Sequence, residues 1–378
     1  MQAIDRAWRW IEIVRTVFLK EGGWRHARSL YLIGGFARDE GTCGFVNGRL
    51  RVYNDLDFLV IVRRRCPLRM LALHRIGRRL NDGRFGCQID LVVVPADELA
   101  DPPPTLLQFD MQQHYVWLWG QRVFESGGAR RLTPDRLSPG DALQLLLNRQ
   151  ASLMIGLSLL RQDPVDGPYL QVQLSKPLFA MMSAVLIAER RYVVPVRRQL
   201  ELIEADRRQR RSEPLWQVFQ DEQVMDLLRV AVRFKHEPKP EHFVPFEENI
   251  ETIARSYHDF VKTFVAHHYG LPTDGPIGDL VDAFCAQQRR RLDILSPPWW
   301  ACWWRSRSVG LRARRPTYAA HPQVDVYAAH LLWMTQHVTG RPQPWRAALP
   351  AARSCPQRDE LDVLIDAWKV SGYGCAIR

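Results

Sequence analysis

The hydrophobic pattern divides the chain into two kinds of sequence. Up to about residue 125, short apolar runs bounded by glycines and polar residues predict strands, and they alternate with segments of helical spacing at 4–20 and 68–80. From Ser138 onward apolar residues recur at helical spacing, and Ser138-Pro139 is a typical helix start. We therefore expect an α+β fold, with an N-terminal mixed sheet flanked by helices and a mainly α-helical region after it.

Three domains are expected from this pattern. The aromatic segment 114–119 is suited to an edge strand, and the linker Ser126-Gly127-Gly128 follows it. We place an α/β domain at 1–126, a helical domain at 127–274 and a C-terminal helical region at 275–378. The helices predicted within the last two cover 138–160, 175–192, 324–338 and 359–370.

The most informative motif is a pair of aspartates, Asp55 and Asp57, at the start of the apolar run 53–62. Side chains on a strand alternate between its faces, so this spacing places both carboxylates on one face. Two carboxylates at the mouth of a buried strand repel each other unless a cation compensates them. A divalent metal site explains the pair, and the alternative is a strand end that frays into solvent.

The neighbouring segments favour the metal site. The predicted strand 29–33 runs into Gly34-Gly35, which allow a tight turn and close approach of backbone N–H groups to a ligand. Residues 36–40 predict a helical turn whose N-terminus favours phosphate. A second apolar strand, 87–94, carries Asp90, and three carboxylates beside a glycine turn are typical of metal-assisted phosphoryl transfer.

This arrangement resembles the polymerase-beta-like nucleotidyltransferase superfamily. Its pattern is a pair of small residues, an acidic-apolar-acidic strand and a third acidic strand, and the matching residues lie within about 25–125. They are Gly34, Gly35, Asp55, Asp57 and Asp90. The stretch between Gly35 and Asp55 is longer than in the compact family pattern. Because Asn47-Gly48 is a hairpin turn signal, we expect an inserted hairpin or loop near the mouth of the site.

The resemblance implies an α/β nucleotidyltransferase domain that uses one or two Mg²⁺ ions, with Mn²⁺ able to substitute. Asp55, Asp57 and Asp90 would be the catalytic and metal-binding residues, and Asp90 would bind the second metal ion or accept the proton of the attacking hydroxyl. Gly34 and Gly35 would donate to the nucleotide phosphates. Arg38 is a candidate phosphate contact, with a solvated arginine as the alternative, whereas Glu40 is expected to be solvated.

Further candidates lie outside this motif. Some two-domain relatives, such as the small antibiotic nucleotidyltransferases, close a basic residue of the helical domain on the triphosphate. Lys176, at the predicted start of helix 175–192, is the candidate here, against a solvated lysine. Asp110 faces the acceptor or is an ordinary loop aspartate. Asn148 and Arg149 either contact the nucleotide or pack the domain interface, and we favour packing.

Composition narrows the class of protein. The chain has 378 residues with 46% apolar content, which is enough for several globular cores. Its seven cysteines form no C-x-x-C pair, which argues against a disulfide framework or a zinc site. Charges interrupt the N-terminal segment, and no run of 18 apolar residues is present, so neither a signal peptide nor a transmembrane segment is expected. The expected compartment is the cytoplasm.

The net charge of +11 is concentrated near the C-terminus. The segment Arg289 to Arg315 carries eight arginines and a single acidic residue, Asp293, and it contains Trp299-Trp300-Ala301-Cys302-Trp303-Trp304. Arginine with tryptophan suits RNA or another polyanion. It also suits an anionic membrane surface. The alternative is that the tryptophans pack between helices and the arginines are solvated.

The sequence thus predicts a Mg²⁺-dependent nucleotidyltransferase. It would transfer a nucleoside monophosphate from an NTP to a hydroxyl acceptor, either a small molecule or a macromolecule such as tRNA or a protein, and release pyrophosphate. Two alternatives remain at this point: a non-catalytic nucleotide- or RNA-binding relative, and a toxin-like component restrained by a partner.

Overall fold

A computed structural model describes most of the chain, and the protein is a mixed α/β molecule, 64% helical and 11% strand, with a small mixed sheet. The described residues are 3–46, 48–64, 66–83, 85–127, 129–238, 245–271, 277–292, 322–343, 345 and 359–370.

The N-terminal part is built on a four-stranded sheet of order β5-β4-β1-β6. Strand β1 pairs antiparallel with both β4 and β6, whereas β4 and β5 run parallel. The strands of this part are β1 (Ser29–Ile33), β2 (Cys43–Val46), β3 (Arg49–Val52), β4 (Leu56–Val62), β5 (Ile89–Pro95) and β6 (Val116–Gly120). The helices are α1 (Ala3–Lys20), α2 (Gly23–His26), α3 (Gly34–Ala37), α4 (Pro67–Leu80), α5 (Ala96–Ala100) and α6 (Leu106–Gln113). The predicted strands, the helices 4–20 and 68–80 and the edge position of β6 are confirmed.

Both faces of the central strand β4 are buried, and this explains its nearly continuous apolar run. On one face, alternate residues such as Leu56 and Phe58 share a core with α1, whose buried residues Ile11 and Phe18 follow helical spacing. On the other face, Leu59 and Ile61 pack with Tyr31 and residues that follow β5. The side chain of Asp57 belongs to this second face by the same alternation.

The predicted inserted hairpin is confirmed. Strands β2 and β3 pair antiparallel with Val46 opposite Arg49, so a two-residue turn joins them. Gly48 has φ of 75°, a conformation that glycine adopts without strain; Asn47 lies outside the described residues. Arg51 of the hairpin forms an ion pair with Asp166, which links the insertion to the helical part.

The helical part begins with two long helices that pack against each other, α7 and α8. Helix α7 starts where Ser138-Pro139 predicts it, and Ser138 and Asp141 form a capping box there. The helices after the sheet are α7 (Pro139–Leu160), α8 (Gly167–Ala188), α9 (Val196–Asp206), α10 (Glu222–His236), α11 (Phe246–Tyr269), α12 (Ile277–Leu292), α13 (Pro322–Thr339) and α14 (Glu360–Val370).

The predicted start of the second long helix at residue 175 is wrong. Helix α8 begins at Gly167, where the Asp166 side chain accepts from the backbone N–H of Tyr169. Pro177 lies inside α8. Because packing on both sides holds α8 together, it tolerates the hydrogen bond that this proline removes. Lys176 therefore lies in the middle of the helix.

Two helices, α7 and α8, are long and apolar enough by length and composition alone to cross a membrane. The most apolar windows of these helices are 61% and 94% buried within the protein, and core helices pass the same test.

Helices α13 and α14 share one continuous core with α7 to α11. Trp368 of α14 donates to Asn148 Oδ1 of α7 at 2.9 Å, so Asn148 has the packing role favoured from sequence. Most of the Arg289–Arg315 segment, including its tryptophans, lies outside the described residues, and its role in binding RNA or another polyanion stays a prediction.

Candidate functional site

A cavity of about 230 Å³ lies between the sheet and the helical part. Charged side chains of both signs line it, and they come from opposite walls. The sheet side contributes Arg38, Glu40, Asp55, Asp57 and Asp110, and the helical side contributes Arg149, Lys176 and Lys235.

The acidic wall is built where β1 and β4 meet. Ile33 pairs with Asp57, so Gly34 follows directly beside the Asp57 carboxylate. Gly34 has φ of 71°, and a Cβ on it would overlap that carboxylate. Glycine is required here for both reasons. Asp55 comes one residue before β4 and is exposed to the cavity mouth.

Gly34 and Gly35 are themselves the first residues of α3, whereas the sequence pattern predicted a helical turn after them. Gly35 lines the cavity, next to the acidic wall. The N-terminal backbone of this short turn therefore lies beside Asp57, as the glycine pair suggested.

Asp90 lies beside Asp57 on the neighbouring strand. The two are partners in the parallel β4–β5 pair, and register partners project from the same face of a sheet. Gln88 Nε2 donates to Asp90 Oδ1 at 2.7 Å. However, of the three aspartates predicted to bind metal, Asp55 and Asp57 line this first cavity, whereas Asp90 borders a second cavity between α4 and β5.

The described residues contain no group of three His, Cys, Asp or Glu side chains arranged to hold a metal ion. Magnesium at nucleotide sites is bound by one or two carboxylates, and phosphate and water oxygens complete its octahedron. The oxygen donors Asp55 and Asp57 fit that mode of binding, in which the nucleotide supplies the remaining ligands.

The basic wall presents two cations without a partner among the described residues, Arg149 of α7 and Lys176 of α8. Burial, together with repulsion from Arg149, lowers the pKa of Lys176 to about 8, against the opposing attraction of Asp55 and Asp57. Unpaired cations in a partly buried cavity are costly. This wall is therefore suited to an anionic ligand.

The remaining charges of the cavity are paired with one another across the two parts of the molecule. Glu40 is 1% exposed, and it accepts from the backbone N–H of Val196 at 2.6 Å and from Lys235 Nζ at 3.5 Å. Arg38 Nε lies 3.2 Å from Glu40 Oε2. Burial would raise the pKa of Glu40, but Lys235 and Arg38 hold it below its usual value. The expectation that Glu40 is solvated is wrong, because the helical part covers it.

Arg38 also donates to Asp110 at 3.0 Å, and Tyr192 donates to the other oxygen of Asp110 at 3.0 Å. Burial raises the pKa of Asp110, and Arg38 opposes this shift. The guanidinium of Arg38 is thus paired with the carboxylates of Glu40 and Asp110. The contacts of Asp110 are with Arg38 and Tyr192, so it is part of the domain interface.

Sequence reasoning missed Lys235 and Tyr192, and it favoured packing for Arg149. The only available signal for Arg149 was its isolation within the apolar stretch 142–160.

Comparison of the chain with family models, with curated proteins and with solved structures found no match.

Proposed function

We propose that this protein is a Mg²⁺-dependent nucleotidyltransferase of the polymerase-beta-like type, which transfers a nucleoside monophosphate from an NTP to a hydroxyl acceptor. The observation that carries the proposal is the cavity with Asp55 and Asp57 on one wall and, on the other, two cations that have no partner in the described part of the chain, Arg149 and Lys176. A metal-bound triphosphate carries the complementary charges to both walls at once.

In the proposed reaction, Lys176 and Arg149 bind the β- and γ-phosphates. The backbone of the glycine turn at Gly34-Gly35 approaches the same triphosphate. Magnesium, when bound with the nucleotide at Asp55 and Asp57, supplies charge neutralisation at the phosphates. These contacts fix the α-phosphate beside the ends of β4 and β5. Positioning of this kind accounts for much of the catalysis of phosphoryl transfer.

The acceptor hydroxyl attacks the α-phosphorus, and the bond from that phosphorus to the bridging oxygen of the β-phosphate breaks. Pyrophosphate leaves toward the basic wall. The hydroxyl proton passes to a carboxylate at the end of the sheet, for which Asp90 is the proposed acceptor because of its position beside Asp57.

The direct test uses the full chain, Mg²⁺ and each labelled NTP, with a cell extract as the source of acceptors, and it measures pyrophosphate release and label transfer. We expect Asp57→Asn to lower pyrophosphate release by on the order of 100-fold or more, because metal-assisted charge stabilisation supplies several kcal/mol. The control is Asp101→Asn, which changes an aspartate that is 82% exposed in the same part of the chain.

Equal release by these two variants would contradict the proposed metal site. NTP binding without any turnover by the unmodified protein would favour the alternative of a non-catalytic nucleotide-binding relative.

A further inference from the structure

The end of the sheet opposite to the central cavity carries a second charged surface. Strand β1 begins at Ser29 and ends at Ile33, and Ile33 pairs with Asp57, which lines the cavity. A strand of this length spans about 17 Å, so the residues that precede Ser29 lie well away from the proposed nucleotide site. A ligand of this surface therefore binds apart from the cavity.

Three segments of the chain meet at this end of the sheet. Residues 22–28 lead into β1, residues 61–64 include the end of β4, and residues 116–122 include β6. Backbone hydrogen bonds connect the segments. The Arg28 N–H donates to the carbonyl oxygen of Ile61 at 2.6 Å, and the Gln121 N–H donates to the carbonyl oxygen of Arg28 at 3.1 Å.

The charges on these segments are all positive. The three segments contain no Asp, Glu or Lys, and their five arginines are exposed: Arg25, Arg28, Arg63, Arg64 and Arg122. Two carboxylates flank the segments in sequence, and both have partners, because Glu21 forms an ion pair with Arg79 and Glu125 accepts from the Tyr31 hydroxyl. The acidic residues of α5 follow β5, which β4 separates from β1. This surface is therefore suited to a polyanion.

Two exposed tryptophans on these segments each contact one of the arginines. Arg25 Cζ lies 5.1 Å from the centre of the Trp24 ring, and Arg122 Cζ lies 4.5 Å from the centre of the Trp117 ring. Trp24 is 52% exposed and Trp117 is 36% exposed. The Trp117 indole N–H also donates to the carbonyl oxygen of Gly120 at 3.1 Å, which holds the ring along the end of β6. Rings that are held in place and still exposed are platforms on which another planar group can stack.

The composition of this surface distinguishes between polyanions. Every cation is an arginine, which binds phosphate through two parallel hydrogen bonds and also stacks on planar groups. The large exposed apolar side chains of the three segments are aromatic, and aromatic side chains stack on nucleic-acid bases. Bases in a duplex are already stacked and paired, whereas loops and ends of RNA present free bases.

We propose that these five arginines and two tryptophans, the arginine–tryptophan patch, bind single-stranded RNA. The arginines contact phosphates, and bases stack on Trp24 and Trp117. The inference adds an RNA-binding surface and does not depend on the proposed nucleotidyltransferase function. It is also separate from the segment Arg289 to Arg315, for which RNA binding is a prediction from sequence.

The first experiment measures binding of a fluorescently labelled single-stranded RNA to the full chain by anisotropy. We expect Trp24→Ala and Trp117→Ala each to weaken binding about tenfold, because each removes a surface on which a base stacks. The matched control is Phe45→Ala. Phe45 is 44% exposed and lies under Arg6 at 5.0 Å, so this variant removes an exposed arginine–aromatic contact outside the patch.

The second experiment measures the salt dependence of the same binding. Replacing Arg63 and Arg64 together by glutamine should reduce the slope of log K against log salt by about 1.4, since each phosphate contact on a single strand contributes about 0.7. The control replaces Arg208 and Arg211, two exposed arginines of the helical part, and should leave the slope unchanged. Circular dichroism and urea denaturation of every variant establish that it is folded.

An unchanged RNA affinity in both tryptophan variants, or an equal loss in Phe45→Ala, would overturn the proposal and place any RNA binding elsewhere in the chain. Equal affinity for a duplex of the same sequence would contradict the stacking of bases. Tighter binding to phosphatidylserine vesicles than to RNA, lost in the same variants, would overturn the proposal in favour of a membrane surface. NTP binding, measured in parallel, tests the cavity and has no bearing on the patch.

Discussion

The two walls of the central cavity differ in whether their charged side chains have partners within the protein. On the sheet wall, Glu40 is buried and is paired with the partly buried Arg38 and with Lys235 of the helical part. On the helical wall, Arg149 and Lys176 have no partner among the described residues. The paired charges hold the two parts of the molecule together, and the unpaired ones are available to a ligand. Charged side chains at this interface therefore have two roles. Those with a protein partner stabilise the contact between the two parts, and those without one among the described residues can bind a ligand.

The largest effect on stability is expected from breaking the ion pairs that Glu40 forms with Arg38 and Lys235. Glu40→Ala leaves Lys235 and Arg38 buried with less compensation and removes the acceptor for the Val196 N–H. We expect the free energy of unfolding, measured by urea denaturation, to fall by about 3–5 kcal/mol.

Glu12→Ala is the control, because Glu12 is an exposed member of a surface pair with Arg15. Glu40→Gln keeps an oxygen for Val196 and should lose less. If Glu40→Ala were as stable as Glu12→Ala, the buried set would have no structural role.

Removing an unpaired charge is expected to have the opposite sign. The pKa of Lys176 is about 8 in the folded protein, against an ordinary value of 10.5. The unfolded chain therefore binds more protons between these pH values, and stability rises with pH across that window. Lys176→Met removes this dependence. At pH 7, in the absence of nucleotide and metal, we expect it to stabilise the protein by on the order of 1 kcal/mol.

The same variant sharpens the ligand side of the comparison. We expect Lys176→Met to raise the Kd for an NTP about tenfold, since it removes a cation from the basic wall. Lys20→Ala, an exposed lysine at the end of α1, is the control. A variant that is neither more stable nor weaker in NTP binding would show that Lys176 has a partner or is solvated in solution.

The smallest effect is expected at the rim. Arg51 and Asp166 link the inserted hairpin to the start of α8, but the Arg51 side chain is 42% exposed. Exposed ion pairs contribute about 0–1 kcal/mol. Arg51→Ala should therefore lower the free energy of unfolding by less than 1 kcal/mol in urea denaturation. A loss comparable to that of Glu40→Ala would mean that the hairpin, and not the buried set, holds the two parts together.

Local sequence determined the secondary structure of the sheet part and the acidic wall. Asp55 and Asp57 are two residues apart at the start of an apolar run, and Gly34-Gly35 end the strand that pairs beside it. The alternation of side chains on a strand and the conformational freedom of glycine are short-range effects, so the amino-acid sequence alone is enough to predict them. The inserted hairpin was predictable for the same reason, from its two-residue turn.

Tertiary structure decided the basic wall and the paired charges. Arg149, Lys176 and Lys235 come from three helices whose positions depend on how α7, α8 and α10 pack. Glu40 looks like an ordinary surface glutamate until Val196 and Lys235 cover it. Start signals also compete: both Asp166-Gly167-Pro168 and Ser175-Lys176-Pro177 resemble helix starts, and burial of the whole of α8 selects the first. Desolvation and pairing of these charges depend on tertiary contacts between segments that are far apart in the chain. Local sequence patterns therefore cannot predict them.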